Sequence, residues 1–241
     1  MSFSNVYDDA ERAQAYSALE FPGTYYLAFR DLPKIIAEHV SGDKALDFGC
    51  GAGRSTRFLK GLGFNAVGID ISKSMIERAK SADAEGDYRL VPDGDYRGLA
   101  DARFDLILSA FAFDNIPGAA KRTALLRSLG SLLGYEGRIV LLGSRPEIYW
   151  HEWASFTTRD FPENRIAKSG ETVQIVMKDV EDARPVMDIV WFHEDYLSLF
   201  GSAGFDLVGR YEPLGRADEP YRWLSETSVA PWMIYVLRRR R

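Results

Sequence analysis

The chain has 241 residues, 46% hydrophobic and 13% aromatic, and carries a formal net charge of −5. That length and apolar content suffice to bury one full α/β core with an insertion, so two independent domains are not expected. The acidic balance excludes the electrostatic footprint of a nucleic-acid backbone or an anionic membrane, and a single cysteine, Cys50, excludes an intrachain disulfide and a cysteine-rich metal site. The one basic block, residues 238–241, reads as a solvated tail. Residues 1–16 lack the apolar core of a signal peptide, and no apolar run of about 18 residues occurs, so a cytoplasmic location is expected.

Residues 1–31 are rich in aromatic side chains, among them Tyr7, Tyr16, Phe21, Tyr25, Tyr26 and Phe29. Residues 33–40 place Ile35, Ile36 and Val40 at helical spacing and read as a short amphipathic helix. An apolar strand, 45–48, contains Asp47 and runs into Gly49, Gly51 and Gly53, with Cys50 between the first two. Such a turn adopts backbone angles that a side chain forbids and lets the peptide approach a ligand closely. The helix that follows, 55–61, points its free N–H groups at the same spot. A second strand, 66–69, leads to Asp70 and Ile71. Asp70 lies seventeen residues past Gly53, the spacing of an acid that grips a ribose diol. Ser72 is the expected N-cap of a helix over 73–81, with Met75, Ile76 and Ala79 on its buried side. Strand, helix and strand in about 30 residues predict a parallel sheet.

The glycine spacing separates two kinds of nucleoside pocket. A dinucleotide fingerprint is G-x-G-x-x-G, whereas residues 47–53 read D-x-G-x-G-x-G and Arg54 stands where the third glycine belongs. In this the chain resembles the class I S-adenosylmethionine-dependent methyltransferases, type 11-like, over roughly residues 32–143. The resemblance implies S-adenosylmethionine as cofactor and S-adenosylhomocysteine as product. It assigns Asp47, Gly49, Cys50, Gly51, Gly53, Asp70 and Ile71 to cofactor binding.

A strand over 88–91 precedes Gly94, Asp95 and Tyr96. By the same resemblance, Asp95 accepts a hydrogen bond from the adenine amino group, with Asp93 as competitor, and the backbone N–H of Tyr96 reaches a ring nitrogen. A plain polar turn is the alternative for this Pro-Asp-Gly-Asp stretch. Residues 103–117 have the shape of the family's fourth strand. Ligands in open α/β sheets sit outside the C-terminal strand ends, so residues 109–115 are expected to face the sulfonium and the acceptor. Ser109 is then a cofactor residue, and Phe111 and Phe113 wall the substrate. Asp114 and Asn115 either orient or deprotonate the acceptor or cap the helix beginning near Pro117. Many relatives carry His-His at this point, so a histidine role there does not carry over.

A helix over 119–133 leads to a fifth strand, 137–144. The next good helix starts near His193, leaving an insertion over 145–192 that contains Tyr149, Trp150, Trp153, Phe156 and Phe161. Two alternating runs in it, 172–179 and 185–192, predict a small antiparallel hairpin, a lid over the pocket. A helix over 194–203 and strands over 205–211 and 231–237 complete the chain. The expected fold is α/β and Rossmann-like, a mostly parallel seven-stranded sheet in the order 3-2-1-4-5-7-6 with helices on both faces.

The methyl of S-adenosylmethionine is already activated, so the enzyme needs chiefly to hold a nucleophile in line and exclude water; no metal is expected. His151, between Trp150 and Glu152, and Asp114 are the expected bases. Tyr25, Trp150 and Trp153 join Phe111 and Phe113 as expected acceptor contacts, and Tyr16 is expected over the cofactor. The acceptor is read as a small molecule, with O, N or C as the receiving atom, and the protein as a monomer or homodimer without a nucleic-acid or membrane partner. The rivals are a methyltransferase of protein or RNA, which needs an open cleft and basic rim, a nicotinamide-dependent oxidoreductase, and a regulatory protein that only binds the nucleoside.

Overall fold

A computed structural model describes residues 22–92, 94–99 and 102–240; Tyr7, Tyr16, Phe21 and Asp93 lie outside the described residues. Helices α1, Thr24–Arg30, and α2, Leu32–His39, precede strand β1, Lys44–Phe48. Then α3, Arg54–Gly61, β2, Asn65–Asp70, α4, Lys73–Ala82, and β3, Asp87–Leu90, alternate as the sequence predicts. Ser72 caps α4 by accepting from the Met75 amide at 3.4 Å. Strand β4, Phe104–Ala110, helix α5, Ala119–Leu132, and β5, Leu133–Ser144, follow, and α5 passes into β5 without a loop.

Beyond the insertion come α6, His193–Ala203, and two strands, Phe205–Tyr211 and Trp232–Arg239. With the three insertion strands counted, these last two are β9 and β10. The main sheet runs β3-β2-β1-β4-β5-β10-β9, which is the expected order with β9 and β10 as its sixth and seventh strands. β10 alone runs against the direction of the other six strands, through pairs such as Ile234 with Leu142.

Alternation along the strands divides the core. In β5, Ile139 and Leu141 pack with α5 and α6, while Val140 and Leu142 pack with α1, α2 and α3. Successive side chains of a strand point to opposite faces, so a continuous apolar run is what a sheet covered on both faces requires. All four residues are nearly or fully buried.

The insertion is a three-stranded antiparallel sheet, where the sequence reading had a two-stranded hairpin. β7, Thr172–Met177, pairs with β8, Val186–Ile189, and a short β6, Phe156–Thr157, pairs with Val176 and Met177 on the other edge. Two residues are too few to show alternation, which is why β6 leaves no trace in the sequence. The insertion is tied to α1 and to the loop before β10 through Glu226. This fully buried carboxylate accepts from Thr24 Oγ1 and from the Ala154 amide, both at 2.7 Å, and from the Leu224 amide at 2.8 Å. Among the described residues no helix is long and apolar enough to cross a membrane.

Candidate active site

The loop after β1 is shaped by its glycines. Gly49, Gly51 and Gly53 take φ of 69°, 53° and 83°, in the left-handed region. The amides of Gly49 and Cys50 both donate to the Ile69 carbonyl at 2.9 Å, tying the loop to the end of β2. A Cβ on Gly49 would come within 2.2 Å of that of Ala112, whereas one on Gly51 would meet nothing within 4 Å. Gly49 therefore serves packing, and Gly51 leaves open space against a cavity. The Asp70 carboxylate accepts from the Gly51 amide at 2.9 Å and, through its other oxygen, from the Ser72 amide at 2.8 Å. Burial pushes its pKa up, and the backbone donors oppose that.

Asp47 lies beneath the loop instead of on the cavity wall. It is fully buried and accepts from Ser55 Oγ at 2.7 Å and Thr56 Oγ1 at 2.6 Å, so it fastens the first turn of α3 under the glycines. Burial raises its pKa to about 6. Gly53 begins α3 against the Tyr88 ring, also away from the wall.

A cavity of about 520 Å³ opens along the C-terminal ends of β1, β2, β4 and β5. Its wall includes Gly49, Cys50, Gly51, Asp70, Ile71 and Tyr96, all expected at the cofactor, and Phe111, Asp114 and Tyr25, expected near the acceptor. The wall also carries the apolar side chains of Ile71, which follows Asp70 in the chain, and of Met75, Val91, Tyr96 and Leu125. Ile71 is half exposed, an apolar side chain with an uncovered face. The Cys50 thiol is pushed up by burial and by Asp47 and Asp70, so it stays protonated.

On the other side of β1 and β4 the wall is aromatic. Tyr25 lies 5.6 Å from Trp232 in a stacked pair, 5.7 Å from Phe111 and 5.1 Å from Phe156, centroid to centroid. Phe111 also meets Trp232 at 4.8 Å. To hold its ring there, Phe111 takes φ of 62°, the one positive value at a non-glycine among the described residues. Strain of this kind persists only where the surroundings enforce it. The Arg54 guanidinium lies 5.4 Å and 5.6 Å from the ring centroids of Tyr25 and Phe29. The insertion completes the enclosure with Phe156, Ile175, Met177, Val186 and Asp188.

Several expected site residues lie elsewhere. Asp95 is turned to solvent, bound by both the Nε and Nη2 of Arg97, whose guanidinium holds its carboxyl down at about 2. The polar-turn reading describes that placement, while Gly94 and Tyr96 beside it reach the wall. Ser109 is buried inside β4, its hydroxyl without a partner among the described residues. Phe113 faces the opposite way, with the Arg122 guanidinium 5.2 Å from its ring. Trp153 is buried in the insertion and donates to the Ile148 carbonyl at 2.7 Å. Trp150 donates to the Asn164 carbonyl at 3.2 Å and borders a second cavity of about 230 Å³ with Phe113, His193 and Tyr235.

His151 is on neither wall. Its ring meets the edge of Trp153 at 5.9 Å, because the single helical turn Pro146–Tyr149 aims Tyr149 inward and carries the chain past before His151. Asp114 does not cap α5, whose N-terminus begins after Gly118. It accepts instead from the Ser144 amide at 2.8 Å and the Tyr196 hydroxyl at 3.3 Å, and burial raises its pKa.

Asp188 and Tyr149 are the site residues that the sequence reading missed. The Tyr149 hydroxyl donates to Asp188 Oδ2 at 3.1 Å, and Asp188 keeps part of its surface open to the cavity. Burial and the nearby Asp114 charge bring Asp188 up to about 7. The signal was weak: Asp188 alternates with Val186 and Val190, but Met187, Ile189 and Trp191 make the other phase equally apolar, so the alternation alone does not choose the buried face.

A family profile described as a methyltransferase domain matches residues 46–141. An uncharacterized methyltransferase of Bacillus licheniformis is 34% identical over 143 residues, 58% of this chain and 62% of that protein. The chain thus spans about three fifths or less of the length of the curated relatives it matches. The fold is shared more widely. An S-adenosylmethionine-dependent methyltransferase from Clostridium acetobutylicum superposes with a TM-score of 0.63 at 12% identity, covering 98% of this chain and 97% of that one. A Burkholderia thailandensis 1,6-didemethyltoxoflavin-N1-methyltransferase, solved with S-adenosylhomocysteine, gives 0.58 at 16% identity, covering 98% and 84%. The profile spans the glycine loop to the middle of β5, so over residues 46–141 the chain is similar to methyltransferase domains, and over nearly its whole length it shares the fold of S-adenosylmethionine-dependent methyltransferases.

Proposed function

We propose that the chain transfers a methyl group from S-adenosylmethionine to a small, largely apolar molecule enclosed between the sheet edge and the insertion. The observation that carries this reading is the continuity of one cavity from Gly51 and Asp70 to the aromatic cluster and the insertion. Its size, about 520 Å³, falls in the usual range for small-molecule sites.

The residues fit the cofactor. Asp70, oriented by two backbone donors, presents acceptor oxygens suited to a ribose diol, and Ile71, Met75, Val91, Tyr96 and Leu125 offer an apolar slot for a purine. The open face of Gly51 lets a ligand lie against the backbone. When bound, S-adenosylmethionine supplies a methyl group already activated by the positive sulfonium. The faces of Tyr25, Phe111 and Trp232 favour positive charge and keep water out, and the same rings hold an apolar acceptor in a fixed position. The cations on the wall are Arg54 and Lys121, which do not make the basic rim that an RNA substrate requires.

Incubation with methyl-labelled S-adenosylmethionine and the separated small-molecule, protein and RNA fractions of a cell extract tests this reading. Label entering the small-molecule fraction is the expected result, and label confined to protein or RNA contradicts it.

A further inference from the structure

We infer that Asp188, held by Tyr149, takes the proton from a hydroxyl of a neutral phenolic or enolic acceptor as that oxygen is methylated; this rests on the methyl-transfer reading above. The sheet order separates the two ends of the cavity. Asp70 ends β2 and Ser144 ends β5, with β1 and β4 between them, which sets them about 14 Å apart at the usual strand spacing. Asp188 belongs to the β5 side, because its partner Tyr149 lies in the helical turn that follows β5 directly. A proton acceptor there stands clear of the ribose end.

The two acids on this side are not equivalent. Asp114 is committed to the Ser144 amide and the Tyr196 hydroxyl. Asp188 has one hydrogen bond among the described residues, from Tyr149, and part of its surface faces the cavity. Around it the insertion offers Phe156, Ile175, Met177 and Val186 and no cation. A carboxylate in such a place repels an anionic acceptor and needs a donor from a neutral one. Burial and Asp114 raise Asp188 to about 7, close to working pH, where a general base is most effective. The step balances: the O–H bond breaks with its proton passing to Asp188, and the oxygen bonds to the methyl carbon. The carbon–sulfur bond breaks with its electron pair on sulfur, cancelling the sulfonium charge.

The test uses the full chain saturated with S-adenosylhomocysteine, titrated with 1-naphthol, 7-hydroxycoumarin, their methyl ethers and 1-naphthylamine. The hydroxy compounds are expected to bind about tenfold tighter than their ethers, the discrimination of a hydrogen bond to a charged group, and Asp188→Asn to shrink this to about twofold without changing the Kd for S-adenosylhomocysteine. No hydroxyl preference, a preference that survives Asp188→Asn, tighter binding of the amine, or no binding of any probe overturns the inference. Failure of S-adenosylhomocysteine itself to bind contradicts the methyl-transfer reading instead. If Asp188→Asn does not fold, Tyr149→Phe is expected to cut the hydroxyl preference severalfold, and an unchanged preference overturns the assignment.

Discussion

The amide of Gly51 donates to the carboxylate of Asp70 at 2.9 Å, so the apex of the glycine loop and the end of the second strand form one hydrogen-bonded unit. The loop shapes the floor of the cavity, and the acid it orients is the group proposed to take the ribose. Changing either residue disturbs the other.

Asp70→Ala is expected to weaken S-adenosylhomocysteine binding by about 1 to 3 kcal/mol, the cost of leaving the diol and the Gly51 and Ser72 amides without their acceptor. Isothermal titration measures it. An unchanged Kd removes Asp70 from the site.

The strain at Phe111 is separable from its ring. Phe111→Ala keeps a Cβ at φ 62° and loses the packing against Tyr25 and Trp232, whereas Phe111→Gly loses the packing and relieves the strain. The glycine variant is therefore expected to be the more stable of the two by about 1 kcal/mol in urea unfolding. Equal stability, or a more stable alanine variant, contradicts the strain.

Much of this was legible because the sequence states backbone demands openly. Three glycines at alternate positions can be satisfied by a left-handed turn, and the apolar runs before Asp70 and Phe111 mark strands whose ends meet at one edge. Side-chain direction in the insertion was less legible. His151 drew attention by its type, yet the helical turn before it buries Tyr149 against Asp188, which lines the cavity. Asp188 was overlooked because an acid in an alternating strand reads as solvent-facing, and with both phases of that strand apolar its parity with the buried Val190 did not mark the inner face. Asp95 went astray for a local reason, since Arg97 two residues on captures its carboxylate.

The latch at Glu226 predicts a stability effect away from the cavity. Glu226→Ala leaves Thr24, Ala154 and Leu224 without their acceptor, and roughly 3 kcal/mol of destabilisation is expected. Urea unfolding gives the value, and limited proteolysis is expected to cleave the insertion sooner. A loss below about 1 kcal/mol means that water replaces the carboxylate without penalty.

Stability should fall as pH rises through the weakly acidic range. Asp47 at about 6 and Asp188 at about 7 retain protons in the folded state that the unfolded chain, at 3.8, has already lost. Between those values the folded state binds more protons, so the ligand-free protein is expected to be more stable near pH 5 than near pH 8, levelling off above about 7. Asp70 and Asp114, also raised by burial, act in the same direction, and His193, lowered by burial, opposes them. Asp188→Asn should flatten the upper part of the slope. A Tm that climbs from pH 5 to pH 8 contradicts the burial of these acids.

Calorimetric titration with S-adenosylmethionine, S-adenosylhomocysteine and NAD in parallel tests the central claim most directly. The account predicts micromolar binding of both sulfur nucleosides, weakened in Asp70→Ala, and no heat from NAD. Tight binding of NAD with no response to the sulfur nucleosides would contradict it at the glycine loop.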